Sequence, residues 1–285
     1  MSLRRLALIP LALALVLGAC SGDDSSKGAS GTGATGTEAT SGTTPAVPQG
    51  FTLIDRHQDG FVIALPPGWK AFDLSTTDID AIAQLAQQAN PNLQPIKVTA
   101  KGNVDPTTLT AGSQVDGVTI AAGDRVDLEK QTDTTQNGIY VVEATGAPQR
   151  EASVSDAVRQ LIEQGGLLYA ADPSNQGKFL TNVNLIKITG VTGGIQGLEE
   201  QAQSQLTAAG ATNISTSETS LPAGAAVRST YILPVTLSDG TQTNVAGLQV
   251  YVPAGENLYV LTFSTDQPGK YSQQFDQIIA TFSPS

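Results

Sequence analysis

Thirty consecutive residues near the amino terminus, 21 to 50, carry too little apolar surface to join a folded core. Of those 30 positions, 22 are Gly, Ser, Thr or Ala, none is aromatic, and Val47 is the one larger aliphatic side chain. Burial on that scale does not offset an ordering entropy of about 1–2 kcal/mol per residue. The stretch is expected to be a disordered stalk. Its root-mean-square reach is about 5 to 6 Å times the square root of its length, on the order of 30 Å. Folding is thereby confined to the 235 residues from Phe51 to Ser285, enough for a substantial core or for two units.

The segment before the stalk has another character. Arg4 and Arg5 precede an apolar run from Leu6 to Leu17, which closes in Leu17-Gly18-Ala19-Cys20. Charge, apolar run and small residues follow one another in the order of an export signal. The run falls short of the ~20 residues of a spanning helix, so a permanent transmembrane helix is disfavoured. The ending resembles the lipobox of bacterial lipoproteins, with Leu17, Gly18 and Ala19 at the lipobox positions. That resemblance implies a diacylglycerol on Cys20, loss of residues 1 to 19, and a lipidated Cys20 at the head of a stalk spanning 20 to 50. Each buried methylene contributes about 0.8 kcal/mol, so two or three acyl chains hold a protein firmly on a bilayer. The expected location is the extracytoplasmic face of the cell membrane, with the membrane itself engaged through the lipid anchor. Cys20 is the only cysteine, so neither an internal disulfide nor a thiolate metal cluster is expected. An ordinary secretory signal that happens to contain cysteine is the alternative.

Charge narrows the partners. The chain has 15 Lys plus Arg against 26 Asp plus Glu, a net charge of -11, and losing Arg4 and Arg5 leaves 13 against 26. A surface of that sign repels phosphate backbones, so nucleic acid is not an expected partner. The Ala, Gly and Thr-rich composition fits a high-GC bacterial source.

Periodicity divides the rest. Phe61 to Leu65 reads as a short strand stopped by Pro66-Pro67-Gly68, with Trp69 packing back on it. Ser75 to Asp78 has capping-box spacing, and Ile79, Ile82, Leu85 and Ala86 fall on one helical face before Asn90-Pro91. A second helix follows Ser153 to Asp156, carrying Val154, Ala157, Val158, Leu161 and Ile162 to a stop at Gly165-Gly166. Leu167 to Ala171 and Phe179 to Ile188 read as paired strands, the latter alternating through Phe179, Thr181, Val183 and Leu185. A third helix over 195 to 209 turns Ile195, Leu198, Ala202 and Leu206 inward and stops at Gly210. Strands are then expected near 213–219, 225–234, 245–252 and 257–264, with a hairpin at Asp239-Gly240 and a loop over Pro253 to Asn257. A closing helix from Gly269 to Thr281 offers Tyr271, Phe275, Ile278 and Ile279. Hairpin-linked strands with helices between groups of them indicate an α+β class, an antiparallel sheet covered by helices.

Phe61 to Trp69, Phe179-Leu-Thr-Asn-Val-Asn184, Gln249 to Val252, Tyr259 to Phe263 and Phe275 to Phe282 resemble the LpqN/LpqT-type lipoproteins of actinobacteria. The resemblance implies a PsbP-like fold, an antiparallel sheet sandwiched between helices, over 51–96 and 153–285. Residues 97–152 lose the helical period and are expected to be an insert. Within them Val115 to Val126, Gln131-Thr132 and Asn137 to Val142 resemble a small β module of bacteriophage tail and tail-fibre proteins, which implies a structural or adhesive part. Asp116-Gly117 and Asn137-Gly138 suit positive φ at tight turns. Asp127 departs from the module, which has an apolar residue there, and puts the inward face or the edge pairing of its strand in question.

Residues for chemistry are sparse. His57 is the only histidine; set among Asp55, Arg56 and Asp59, it reads as solvated, and no Gly-x-Ser-x-Gly elbow supplies a nucleophile. Gly193-Gly194 before a helix reads as plain helix entry. Asp124, Asp127, Glu129 and Asp133 lack calcium-loop spacing and read as an acidic face. Tyr231, Tyr251 and Tyr259 either line a groove or pack under a helix. No catalytic residue, metal ligand or cofactor is therefore assigned, and the chain is not expected to be an enzyme. The expected function is a membrane-anchored extracytoplasmic binding or adhesion protein whose partner is an envelope protein or glycan. The alternatives are a cell-envelope hydrolase, which needs titratable groups clustered in a deep pocket, and a carrier of a lipid or hydrophobic ligand, which needs a dry cavity.

Overall fold

A computed structural model describes residues 46–75, 81–82, 85, 96–133, 136–150, 154–175, 179–191, 195, 197–236 and 242–285. Residues 1–45, which include the expected export signal, Leu17-Gly18-Ala19, Cys20 and most of the expected stalk, lie outside the described residues. So do Ile79, Ala86, Gly193-Gly194, Asp239-Gly240 and most of the two capping boxes.

In chain order the strands begin with β1 (Thr52–Arg56), β2 (Phe61–Leu65) and β3 (Lys70–Asp73). Next come β4 (Ile96–Thr99), β5 (Gln114–Val115), β6 (Val118–Thr119), β7 (Arg125–Leu128), β8 (Gly138–Val141) and β9 (Gln149–Arg150). Helix α1 (Val154–Glu163) leads to β10 (Gly166–Ala171) and β11 (Asn182–Thr189), and α2 (Leu198–Ala208) leads to β12 (Thr212–Leu221) and β13 (Gly224–Thr236). The chain closes with β14 (Gln242–Ala254), β15 (Asn257–Thr265), α3 (Pro268–Thr281) and β16 (Ser283–Pro284). The class is α+β.

The main sheet has seven strands in the order β12-β13-β14-β15-β11-β10-β3, every neighbouring pair antiparallel. Alternation along its strands feeds two cores. Tyr169, Ile186, Val227, Tyr251 and Val260 join Ile82, Leu85, Val158, Leu161, Leu198 and Ala202 in one. Leu168, Leu185, Val250, Leu261 and Phe263 join Phe61, Ile63, Tyr271, Phe275 and Ile278 in the other. Ile82 and Leu85 are helical, as their spacing predicts, and Trp69 packs on the second cluster.

Several expectations change in detail. The pairing of β11 with β10 starts at Asn182, three residues after Phe179, which instead packs with Val235 and Val245. Strand β11 is buried on both faces from Asn182 to Ile186, so apolar alternation there carries no information about inside and outside. The Pro253 to Asn257 loop shrinks to Gly255 and Glu256, because Pro253 and Ala254 pair with Leu258 and Asn257. Pairing of β13 with β14 ends at Tyr251, so beyond it β14 has an open side that tolerates a residue without an N–H. Helix α2 starts at Leu198 behind Gly197 at φ 80, a left-handed conformation suited to glycine, and Ile195 packs from outside the helix. Strands β1, β3 and β16 are too short or too exposed to show a period. Residues 52–56 gain their strand by pairing with β2, and β3 by pairing with β10.

Residues 96–150 form a four-stranded sheet, β4-β7-β8-β9, and the hairpin β5-β6. Val115, Ile120, Val126, Leu128, Tyr140 and Val142 make a cluster of their own. Asp116 at φ 48 and Gly117 at φ 80 turn the hairpin. Asp127 leaves both properties of its strand intact. β7 pairs with β4 on one side and β8 on the other, while Val126 and Leu128 reach the cluster and the alternate residues Arg125 and Asp127 are buried apart from it.

Candidate functional site

A cleft of about 380 Å³ lies between the amino-terminal half of α3 and strands β13 and β14. Its floor is apolar: Leu248 and Phe275 are 6% and 4% exposed, with Ile232 and Ala246 beside them. Alternation along β13 sets Arg228, Thr230 and Ile232 on this side, and Ser272 faces them from the first turns of α3. Asn213, at φ 52 where the β12–β13 register shifts, adds an amide to the rim. The Arg228 Nη2 lies 2.8 Å from Asp276 Oδ1, both side chains partly open to water. Chemically this is a cup that holds an apolar body by shape and orients a polar end through hydroxyl, amide and guanidinium donors.

Two buried polar arrangements stand behind it. At the head of α3, the Tyr271 hydroxyl donates to Asp172 Oδ2 at 2.7 Å, and Ser174 donates to Asp172 Oδ1 from its N–H at 2.9 Å and its hydroxyl at 2.6 Å. Gln267 Nε2 donates to Asn175 Oδ1 at 3.0 Å, and the Asn175 amide donates to the Phe179 carbonyl. Burial, then the bond to Asp172, raises the Tyr271 phenol above its ordinary value. The network ties the 172–175 turn to the helix, so it fixes one end of the cleft. The second arrangement is a row across the sheet, Tyr169, Asn184, Thr262, Gln249 and Ser229, each directly opposite the next. Gln249 Nε2 donates to Thr262 Oγ1 at 3.2 Å and the Tyr251 hydroxyl donates to Gln249 Oε1 at 2.7 Å. Among the described residues, the Tyr169 hydroxyl, Asn182 Oδ1, both Asn184 amide atoms and the Ser264 hydroxyl have no partner.

The residues weighed in the sequence scatter. His57 is 65% exposed, its Nε2 3.5 Å from Asp55 Oδ1. Asp124 accepts from the Ala121 N–H at 2.8 Å, Asp127 is buried, and Glu129 and Asp133 are exposed. No group of three His, Cys, Asp or Glu residues arranged for a metal occurs among the described residues. Tyr251 and Tyr259 pack in the two cores on opposite faces, and the Tyr231 ring lies against Gly247 on the Tyr251 face of the sheet, away from the cleft. The cleft was not legible beforehand. Asp172 and Tyr271 are 99 residues apart, and Asn182 and Asn184, which interrupt an apolar run, face the opposite side of the sheet and signal nothing of the cleft. Among the described residues, no helix is long and apolar enough to cross a membrane.

No protein-family model and no curated protein matches the chain. Among solved structures it is similar to the solution structure of cyanobacterial PsbP (CyanoP) from Synechocystis sp. PCC 6803. The match has 11% identity and a TM-score of 0.39, covering 88% of this chain and 98% of that one. A likeness of that depth carries no ligand or activity across.

Proposed function

We propose that the chain is a lipid-anchored extracytoplasmic binding protein of the cell envelope, of the LpqN/LpqT type, without catalytic activity. The observation that carries the binding part is the cleft beneath α3, where an apolar floor of Leu248 and Phe275 sits under a rim of Asn213, Thr230, Ser272 and Arg228. Its volume of about 380 Å³ falls in the range that holds small ligands. The anchor rests on Arg4-Arg5, the apolar run and Leu17-Gly18-Ala19-Cys20. In this reading a PsbP-like sheet between helices spans 51–96 and 153–285. Residues 97–152 are an inserted β module that contacts an envelope protein or glycan, supported by the separate cluster of residues 100–142. The apolar floor also favours a second reading, a carrier for a hydrophobic ligand.

Native mass spectrometry of the protein purified from its own envelope tests the cleft: a bound mass is expected, and Ala246→Trp, which fills the cup, is expected to remove it. A ligand-free spectrum, together with unchanged capture of envelope components by Ala246→Trp, would sink the cleft as the site. Labelling with a clickable palmitate, lost in Cys20→Ser, tests the anchor, and deletion of 97–152 with retained cooperative unfolding tests the module.

A further inference from the structure

The main sheet ends differently at its two edges. Strand β3 is four residues long, follows Pro66-Pro67, begins with Lys70, and has Asp73 held by Arg56 Nη1 at 2.5 Å. Short, charged, proline-flanked edges turn away another strand. Strand β12 at the opposite edge runs ten residues, Thr-Asn-Ile-Ser-Thr-Ser-Glu-Thr-Ser-Leu, with Glu218 as its one charge and no Lys, Arg or Pro. Among the described residues it pairs on one side only, with β13. Thr212, Asn213, Ser215, Ser217, Glu218 and Ser220 are exposed. Its outward backbone N–H and C=O groups therefore have no strand partner among the described residues, a ready template for a further strand.

We propose that this edge pairs with the same edge of a second copy of the chain, antiparallel across a two-fold axis, so that one sheet continues into the other. A two-fold contact requires a self-complementary surface, and β12 supplies one. Centred on Ser217, the register sets Ser215 opposite Thr219 of the second copy and Thr216 opposite Glu218, so hydroxyls meet hydrogen-bonding groups. The same chemistry already joins β12 to β13, where the Thr216 and Ser229 hydroxyls are 3.1 Å apart. Centring on Glu218 would set two carboxylates face to face, which cross-strand pairing disfavours. The register shift between Thr212 and Ser215 confines the contact to the straight stretch after it. With a single carboxylate, the edge offers little to attract a basic peptide. Of the chain's net charge of -11, whatever lies further from the edge than a Debye length of about 8 Å is largely screened. The proposal is independent of the cleft and of the lipid anchor.

The test uses the full chain carrying Cys20→Ser, which removes the only native thiol, purified in detergent. In sedimentation equilibrium over a concentration series, the protein mass is expected to rise towards twice that of one chain. Ser217→Lys, at an exposed position, lays two ammonium groups across the axis and is expected to abolish that rise. Ser217→Cys is expected to form a disulfide-linked dimer under mild oxidation, and Thr110→Cys, exposed in the separate sheet region, is expected to remain monomeric. A single-chain mass throughout would overturn the proposal. So would a dimer that persists in Ser217→Lys, or equal cross-linking at 217 and 110. Should Ser217→Lys fail to fold, the two cysteine variants decide.

Discussion

Asn184 occupies a position where every physical argument about burial favours carbon. It is fully buried in β11, the strand next to the central one, opposite Tyr169 and Thr262, and neither its amide nitrogen nor its amide oxygen has a partner among the described residues. An unpaired buried polar atom costs about 1–3 kcal/mol. Asn184→Leu keeps the branched, four-heavy-atom side chain but is bulkier, so it is expected to raise stability by about 1–3 kcal/mol less the cost of accommodating its methyl groups, read as a higher urea midpoint. A lower midpoint would mean that the amide is satisfied in solution by a water or a ligand. Gly247 shows the opposite constraint, on space. A Cβ there would meet the Tyr231 ring at 2.1 Å, so the bare backbone is what lets that ring pack against β14 on the face of the sheet opposite the cleft. Neither feature has a sequence signature. Asn184 looks like any polar break in an apolar run, and Gly247 is a glycine in a strand whose reason lies on the neighbouring strand.

Elements were more legible than residues wherever a period ran long enough. The closing helix was expected from Gly269 and starts at Pro268, with Tyr271, Phe275, Ile278 and Ile279 all buried. The four strands of the last third also cover the ranges expected for them, each running a residue or more beyond. Short strands such as β3 were not visible, because four residues hold only two cycles of the pattern and their partner, β10, lies about a hundred residues away. The two sheet systems give an expectation at this scale. Leu128 is fully buried in the cluster of residues 100–142, while Leu261 belongs to the core under α3. Leu128→Ala is expected to cost about 2–5 kcal/mol and to lower hydrogen-exchange protection in β7 and β8 while leaving β14 and β15 unchanged. Equal loss of protection in both sheets would show a single cooperative unit.

The molecule as a whole is expected to lose stability in alkali. Tyr169, Tyr231, Tyr251 and Tyr271 have phenols whose ionisation is raised well above the ordinary value, with burial the first cause in each. In the unfolded chain these phenols release protons near pH 10, while the folded chain keeps them. The folded state then binds more protons, so this stabilisation is intact below about pH 10 and falls as pH rises above it. Each tyrosine contributes a slope of about 1.4 kcal/mol per pH unit once its unfolded form is ionised. Urea midpoints measured from about pH 8 to 11 are expected to drop above 10, less steeply in Tyr271→Phe; a midpoint that stays level would refute the raised ionisation. At this scale the amino-acid sequence by itself determined the order of helices and strands, the positions of the long apolar faces, the export-signal pattern and the acidic charge. All of these are properties of neighbours in the chain. Tertiary structure alone decided that β3 closes one edge of the sheet and β12 leaves the other open. It alone brought Asp172 to Tyr271 and shaped the cleft between α3 and β13–β14, because such contacts join residues whose separation along the chain leaves no local periodicity to read.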